Sequence, residues 1–546
     1  MKKKLQSLIQ ETFKKLNITL PEVVIELPKE ESFGDLATPV AMPLSKILKR
    51  PPRKIAEEII NSFEEKDIFE NIEIAGPGFI NFTFSKSYLY SEIKNLIKDS
   101  TGFLRNNIGK GERVHIEFVS ANPTGPLHLG HGRGAAVGAA LSNLLEAGGY
   151  KVEREYYIND AGKQVKLLGL SVFARYKNLL DIDYPVPDDG YKGDYIGDIA
   201  QAIVRENGKR YSDAAFEDVA DFFTDFSYKL MLKTVAQDLK AFGIIFDMWQ
   251  SERELYENND VKKAIDDLKI HGYIYEKDGA VWFRATDFED DKDRVIIKQD
   301  GEYTYFTSDI AYHRKKIEKK FDELIDIWGA DHHGYIPRIQ AVIQALGYPK
   351  ESLKVLLVQM VTLLRGGKPV QMSKRAGEFV TLKEVLDEVG ADTTKFIFLT
   401  RRPDSHLEFD LEVAKAQSAE NPVFYVQYAN ARINSIFAHA KEQGIRIEKL
   451  EEADFSLLSA PEELRIIKKL LSYPMVFEGA VIAHEPHRIT FYLQELAGMF
   501  HPYYHKYKVV TDDVNLTAAR LALCEAIRIV LRDGFEILGL SAPERM

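Results

Sequence analysis

Two histidines three residues apart, His128 and His131, stand where a strand-like run gives way to a helical one. They lie within Ser120-Ala121-Asn122-Pro123-Thr124-Gly125-Pro126-Leu127-His128-Leu129-Gly130-His131-Gly132. At i,i+3 spacing both rings share one face of a helix's first turn. Imidazole donors beside the unpaired N–H groups of a helix start favour phosphate oxygens, and Gly130 leaves room for a flat ring against the backbone. The chemistry this suggests is binding of a nucleoside triphosphate. Far downstream, Val370-Gln371-Met372-Ser373-Lys374-Arg375-Ala376-Gly377 carries one central lysine between glycines (Gly366, Gly367, Gly377) that permit movement. A lysine over the same phosphates would stabilise charge on departing pyrophosphate. A substrate carboxylate is already ionised at neutral pH, so its attack on the α-phosphorus needs no general base. Catalysis then reduces to alignment and charge stabilisation.

Other readings compete. Histidines near a helix start are commonly incidental surface groups, and a lysine-arginine loop is commonly solvated. A zinc site would need further ligands at close spacing, but HExxH is absent and Cys524 is the only cysteine. Gly132, Gly134 and Gly138 form a GxGxxxG run with Glu153 about twenty residues on, a dinucleotide-type fingerprint. The histidines precede that run, where phosphates would sit.

These groups need a scaffold. Val114, Ile116 and Phe118 alternate with His115 and Glu117, which predicts a strand. A helix over 129–147 follows, stopped by Gly148-Gly149, and a strand over 151–158 completes a βαβ unit. A second half repeats the pattern: strand 324–328, the polar loop 331–334, a helix to about 346, and strand 353–360. The mostly helical stretch between the halves reads as an insertion at about 165–295. Towards the N-terminus, Gly76-Pro77-Gly78 joins a strand around 72–74 to one over 79–84, and 100–107 reads as a linker. From about Leu411 the chain is helical, with amphipathic runs at 423–440, 462–471, 489–499 and 517–538. The fold class expected is multidomain α/β plus all-α. It has an N-terminal α/β domain (1–108), a Rossmann-like parallel-sheet catalytic domain with a helical insertion (109–365), the lysine-loop region (366–415) and a C-terminal helical bundle (416–546).

Composition bounds the rest. At 546 residues, 45% hydrophobic and 28% charged, the chain is globular and divides into several domains. A net charge of −11 argues against indiscriminate coating of nucleic acid, but allows a basic face on an otherwise acidic surface. The lone Cys524 excludes an intramolecular disulfide and suits a reducing compartment. No apolar run approaches a membrane span, and the basic start Met1-Lys2-Lys3-Lys4 leads into an amphipathic helix, so a cytoplasmic location is expected.

The ordered pair HLGH and QMSKR resembles the HIGH and KMSKS signatures of class I aminoacyl-tRNA synthetases, with Leu129 for isoleucine, Gln371 for the first lysine and Arg375 for the last serine. The blocks IEFVSANPTGPLHLGHGRG, YYINDAGKQ, DRVIIKQDGEYTYFTSDIAYH, WGADHHGYIPR and NPVFYVQYANARI look like the arginyl branch. FGDLAT, GPGFINF and APERM extend the similarity over nearly the whole chain. The resemblance implies an arginine–tRNA ligase that forms arginyl-adenylate from L-arginine and ATP with Mg²⁺, then esterifies the 3′-terminal adenosine of tRNA(Arg). It implies no zinc, no membrane partner and a monomer.

Carried over by motif, His128, His131 and Lys374 are catalytic, and Pro123, Leu129, Gly130, Gly132, Met372, Ser373, His332 and His333 bind ATP. Arginine contacts fall on Glu117, Ser120, Asn122, His128, Tyr305 and Asp309. A flat guanidinium does need carboxylates, and Asp309 is the foremost candidate, with a helix N-cap before Ile310 as its alternative. Asn122 has the alternative of shaping its loop. Where some relatives carry lysine, Gly125 stands here, which fits a chain that has its lysine loop. For tRNA the resemblance implies Phe79 and Asn81 at the elbow, and Tyr425, Tyr428, Asn430 and Arg432 at the anticodon. Many relatives have histidine where Asn430 stands.

Overall fold

The alternation around Ile116 produces a strand, Arg113–Glu117 (β1), in a computed structural model that describes residues 1–18, 22–370, 380–445 and 449–546. It is the middle of a five-stranded sheet with Lys151–Ile158 (β2), Met248–Ser251 (β3), Glu323–Gly329 (β4) and Leu353–Val358 (β5), ordered β5-β4-β1-β2-β3. Every pairing in it is parallel. The chain leaves β1 towards β2 and later returns on the other side as β4. Strand order thus reverses between two neighbours, which opens a crevice at their carboxyl ends.

Helix Leu129–Ala147 (α1) makes the crossover from β1 to β2. Its glycines serve packing. A Cβ on Gly138 would stand 2.3 Å from the Phe118 ring, and one on Gly132 would stand 2.7 Å from Leu382. Because both lie inside a continuous helix rather than in a phosphate-binding turn, the dinucleotide reading of this run is dropped.

The stretch read as an insertion has two parts. Helices Lys163–Leu179, Asp194–Asn207 and Phe216–Ala241 build their own core around Leu168, Phe173, Ile199 and Phe223. Strand β3 then returns to the main sheet, and Ile274–Lys277, Ala280–Phe283 and Arg294–Ile297 pair as a small antiparallel sheet. Four-residue strands are too short for periodicity to reveal. Helix Tyr305–Glu318 (α2) follows and leads into β4.

A further sheet joins Val361–Arg365, Lys368–Pro369 and Leu407–Asp410. Gly366 and Gly367 link its hairpin at φ +58° and +75°, and the Asp410 carboxylate accepts from both amides at 3.1 and 2.6 Å. This corrects the reading of these two glycines as hinges. Positive φ at both central positions is what a tight two-residue hairpin requires, and Asp410 holds it closed.

By contacts the chain forms two compact units, 107–424 with 537–540, and 1–106 with 425–536 and 541–546. In the second, Leu36–Thr38, Phe79–Phe84 and Phe69–Ala75 form an antiparallel sheet in that order. The 100–107 stretch, read as a linker, contains the helix Ser100–Leu104, capped by Asp99. The C-terminal helices are Pro422–Glu442, Pro461–Ala483, His487–Lys506 and Val514–Leu538. N-terminal and C-terminal segments pack together: the Tyr90 hydroxyl donates to the Leu458 carbonyl at 3.0 Å, and Lys468 pairs with Asp35 at 2.8 Å. Among the described residues no helix is long and apolar enough to cross a membrane.

Candidate active site

Directly after β1 the backbone turns sharply, with Val119 at φ +71° and Ser120 at φ +38°. A β-branched residue in that region costs about 1–3 kcal/mol, a strain the surrounding contacts must hold. The bend carries the Ser120 hydroxyl back to Glu117 Oε1 at 2.8 Å, where it also accepts from the Tyr157 amide at 3.1 Å.

His128 then caps α1. Its Nδ1 accepts from the amides of Gly130 (3.1 Å) and His131 (3.4 Å), while His131 Nδ1 accepts from the His128 amide at 3.3 Å. The rings stack with centroids 3.6 Å apart. The flat ring lying against Gly130 is therefore His128's own: a Cβ there would be 3.0 Å from its Cε1. Since both Nδ1 atoms accept, each neutral ring carries its proton on Nε2. Two amides expected to meet phosphate directly are thus already engaged, and the pair presents Nε2–H donors in their place. Leu129 and Pro123 are buried, and the Gly132 amide bonds to the His128 carbonyl at 3.1 Å, so these three shape the turn from inside.

Met372, Ser373, Lys374 and Gly377 lie outside the described residues, but the flanks of their loop do not. The Val370 amide donates to the Leu363 carbonyl at 2.9 Å on one side. On the other, Thr381 pairs with His128 in a β-bridge, and the Leu382 amide donates to Leu127 at 2.7 Å. Thr381 also starts the helix Leu382–Val389 through a capping box with Glu384. One end of the lysine loop is therefore hydrogen-bonded to the histidine turn itself. One turn into α1, the fully buried Arg133 donates to the carbonyls of Gln359 (2.9 Å), Ser405 (2.8 Å) and Arg402 (2.9 Å). Burial pushes its pKa down to about 10, so it stays charged at neutral pH.

Across the sheet, Asp326, Glu117 and Glu155 sit side by side on β4, β1 and β2, and all are buried. Helix α2 lays cations over this row. Lys316 Nζ donates to Glu117 Oε2 at 2.5 Å and Asp326 Oδ1 at 2.7 Å. His313 Nε2 lies 3.1 Å from Asp326 Oδ2, and Lys319 bridges Glu153 (2.9 Å) and Glu155 (2.8 Å). Burial alone would raise the Glu155 and Asp326 pKa values, but His115, 3.2 Å from Glu155, together with Lys316 and Lys319 holds the first, and Lys316 with His313 holds the second, well below the usual carboxylate range. His115, Glu153 and Glu155 are spaced closely enough to hold a metal ion, yet the Lys319 ammonium already serves both carboxylates.

A second acidic group sits at the near end of α2. Asp309 lies beyond the first turn, where Thr304 is the N-cap, so the capping alternative falls away. It accepts from the Tyr335 hydroxyl, and burial pushes its pKa up to about 6. Glu252, missed in the sequence reading, is 2% exposed, and burial together with the charges of Asp309 and Asp160 pushes it up to about 7. Its Oε2 and the hydroxyl of buried Tyr157 have no hydrogen-bond partner among the described residues. Tyr305 is exposed and packs on Gly162, whose Cβ position would be 3.5 Å from its ring. Exposed Asn122 donates to Gln164 at 2.8 Å, and His332 and His333 are exposed on the turn Ala330–Tyr335 that ends β4. Glu117, Ser120, Tyr157 and Glu252 thus stand at the carboxyl ends of β1, β2 and β3, Asp309 acts on Tyr157 and Glu252 from α2, and Asn122 and Tyr305 are exposed.

Of the tRNA candidates, Phe79 is half-buried, while Asn81 is buried in register with Ala37 and Glu73. Tyr425 and Tyr428 flank His501 at 4.4 and 5.8 Å, and the Arg432 guanidinium lies over Tyr428 (4.6 Å) and Tyr504 (4.5 Å). Asn430 is fully buried and donates to the Pro543 carbonyl at 2.7 Å. That removes it from the candidate surface for a geometric reason. Residues 425, 428 and 432 share one helix face, and 430 shares the opposite face with buried Val426 and Ile433.

Three family descriptions match consecutive parts of the chain: "Arginyl tRNA synthetase N terminal domain" over 3–84, "tRNA synthetases class I (R), catalytic domain" over 92–436, and "DALR anticodon binding domain" over 426–546. The chain is 50% identical over 529 residues to the arginine–tRNA ligase of Citrifermentans bemidjiense, covering 96% of this chain and 95% of that one. It is 47% identical over 553 residues to that of Geobacillus thermodenitrificans, covering 100% and 99%. In fold it is similar to Thermus thermophilus arginyl-tRNA synthetase, with a TM-score of 0.78, 21% identity and both chains fully covered. A histidine-capped helix at a strand-order reversal, with the segment that follows the lysine motif hydrogen-bonded to it, and a group of acids at the carboxyl ends of the same sheet thus have a lineage: the chain belongs to the arginyl-tRNA synthetase family.

Proposed function

We propose that this protein joins L-arginine to tRNA(Arg), first condensing arginine with MgATP to arginyl-adenylate and pyrophosphate, then transferring the arginyl group to the 3′-terminal adenosine. The observation that carries this is the acidic pair Asp309 and Glu252: burial raises both pKa values, and among the described residues neither carboxylate has a salt-bridge partner. A planar cation supplied by a substrate satisfies both.

In this reading Asp309 and Glu252 hold the guanidinium, while Tyr305, Asn122, Ser120 and Glu117 bound the rest of the substrate. The His128 and His131 Nε2–H groups donate to the triphosphate, Gly130 admits it, and His332 and His333 border the adenosine. Lys374, with Met372 and Ser373, stabilises the pyrophosphate as it leaves. The pathway invokes no zinc. Both Nδ1 lone pairs serve the backbone and both Nε2 atoms carry protons, so neither ring offers a lone pair to a metal. The Tyr425–Tyr428–Arg432 face takes unpaired anticodon bases by stacking, and Phe79 with Asn81 marks the elbow contact. The enzyme acts as a monomer in the cytoplasm, where its single buried thiol, Cys524, stays reduced.

Pyrophosphate exchange against all twenty amino acids, with and without total tRNA, tests this. Exchange with arginine alone is expected, and only when tRNA is present. Exchange with another amino acid, or none, would overturn it. Lys374→Ala should slow adenylate formation at least ~10²-fold with arginine binding nearly unchanged, because its contact belongs to the transition state.

A further inference from the structure

The hydroxyl of Tyr157 is the most conspicuous polar group that this mechanism leaves unused. Tyr157 is the penultimate residue of β2, opposite Gln250 of β3, and its ring packs on Tyr312 with centroids 4.3 Å apart. Its amide is held by the Ser120 hydroxyl, so its backbone is fixed by the same bend that orients Glu117. The side chain is 7% exposed, yet the hydroxyl finds no partner among the described residues. Leaving such a group unpaired is costly, and folded proteins seldom do it without a reason.

The surroundings supply one. Glu252, Asp309 and Glu117 are, in that order, the charges that act most strongly on this hydroxyl. Glu252 Oε2 is also buried and without a partner among the described residues, and no hydrogen bond joins it to Tyr157. Both atoms are orphaned, they are not bonded to each other, and the Glu252 charge acts on the hydroxyl, which is the arrangement expected of two groups that share an incoming partner. A guanidinium presents five N–H donors in a plane. Asp309 already spends acceptor capacity on Tyr335, and Glu117 spends both oxygens on Ser120 and Lys316. A neutral oxygen that accepts one further N–H without adding charge completes the set.

We propose that the Tyr157 hydroxyl is a specificity-determining contact for the guanidinium, accepting one of its N–H groups beside Glu252. This rests on the crevice being the arginine site. The contact is made before and during the reaction alike, so it contributes uniform binding and shows in KM rather than kcat.

The experiment is Tyr157→Phe in the full-length protein, read by tRNA-dependent pyrophosphate exchange and by thermal melting with and without arginine. Removing a buried, unpaired hydroxyl should leave the free protein's melting temperature equal or higher. The arginine KM should rise roughly ten- to hundredfold, a hydrogen bond to a charged group, with kcat and the ATP KM near wild type. The melting-temperature gain on adding arginine should shrink in parallel. An unchanged arginine KM overturns the proposal. So does a KM rise accompanied by a lower melting temperature of the free protein or an equal rise for ATP, because either marks a structural role. Wild type and Asp309→Asn, run alongside, separate the premises. If wild type shows no arginine-dependent exchange, or Asp309→Asn leaves the arginine KM unmoved, the assignment of the crevice itself fails.

Discussion

Helix α2 touches two sets of buried or half-buried carboxylates and treats them oppositely. Along its far half and at its C-cap, His313, Lys316 and Lys319 neutralise Glu117, Asp326, Glu155 and Glu153. At its near end, Asp309 and Glu252 receive, among the described residues, hydroxyls or nothing. The first set is complete as folded, and Glu155 and Asp326 within it are held ionised. The second is held partly protonated by burial and becomes fully charged only when a cation arrives. Acid residues of one kind thus divide into scaffold and receptor according to whether the protein supplies their counter-charge.

Removing the scaffold's counter-charge should do the most damage. Lys316→Met leaves Glu117 and Asp326 as uncompensated buried charges, a loss of about 3–5 kcal/mol. Chemical denaturation should show a protein unfolded or nearly so, and a stable Lys316→Met would mean the row is not the framework described. On the receptor side, Asp309→Asn should lower kcat/KM for arginine at least ~10²-fold, about 2.7 kcal/mol, with a folded protein. Loss of folding would place Asp309 with the scaffold.

The gentlest test is pH. Asp309 and Glu252, raised to about 6 and about 7, stabilise the free protein below the ordinary carboxylate range. That contribution is lost as pH rises through 6 to 7, whereas arginine needs both ionised. Arginine KM should therefore climb as pH falls from 8, by up to about tenfold per unit between 7 and 6 and towards about a hundredfold per unit below 6, where two protons must leave. Glu155 and Asp326, held low, contribute above the ordinary range and lose it only under stronger acid. Melting curves at pH 5 to 8 should thus show arginine's stabilisation shrinking towards pH 5 while the scaffold persists. An arginine KM flat across this range would put the receptor's acids at ordinary values.

What sequence alone revealed follows physical range. Strand β2 and helix α1 were readable because their periodicity is local, and the histidine turn because its spacing is short. The scaffold was hidden. Lys316 sits in Arg314-Lys315-Lys316-Ile317-Glu318-Lys319-Lys320, which looks like a solvated charge run. Only its place seven residues after Asp309, on the same helix face as His313, hinted at burial. Glu252, within Ser251-Glu252-Arg253-Glu254, resembled the acidic first turn of a surface helix. Asn430 was grouped with the RNA face because a motif lists residues without saying which way each one points. The joining of the N-terminal sheet to the C-terminal helices could not be read at all, because nothing local encodes a contact between segments so far apart.

Arg133 bears on the order in which the catalytic unit assembles. Its carbonyl partners lie 226, 269 and 272 positions further along the chain. A ribosome adding some 5–20 residues per second leaves this guanidinium in water for many seconds before its partners exist. Helix α1 can form early but cannot dock with its arginine satisfied until the Gln359 and Arg402–Ser405 segments have emerged. Such long-range closure slows folding. Nascent chains halted before residue 359 should therefore expose α1 to proteases, and those released beyond 405 should shield it.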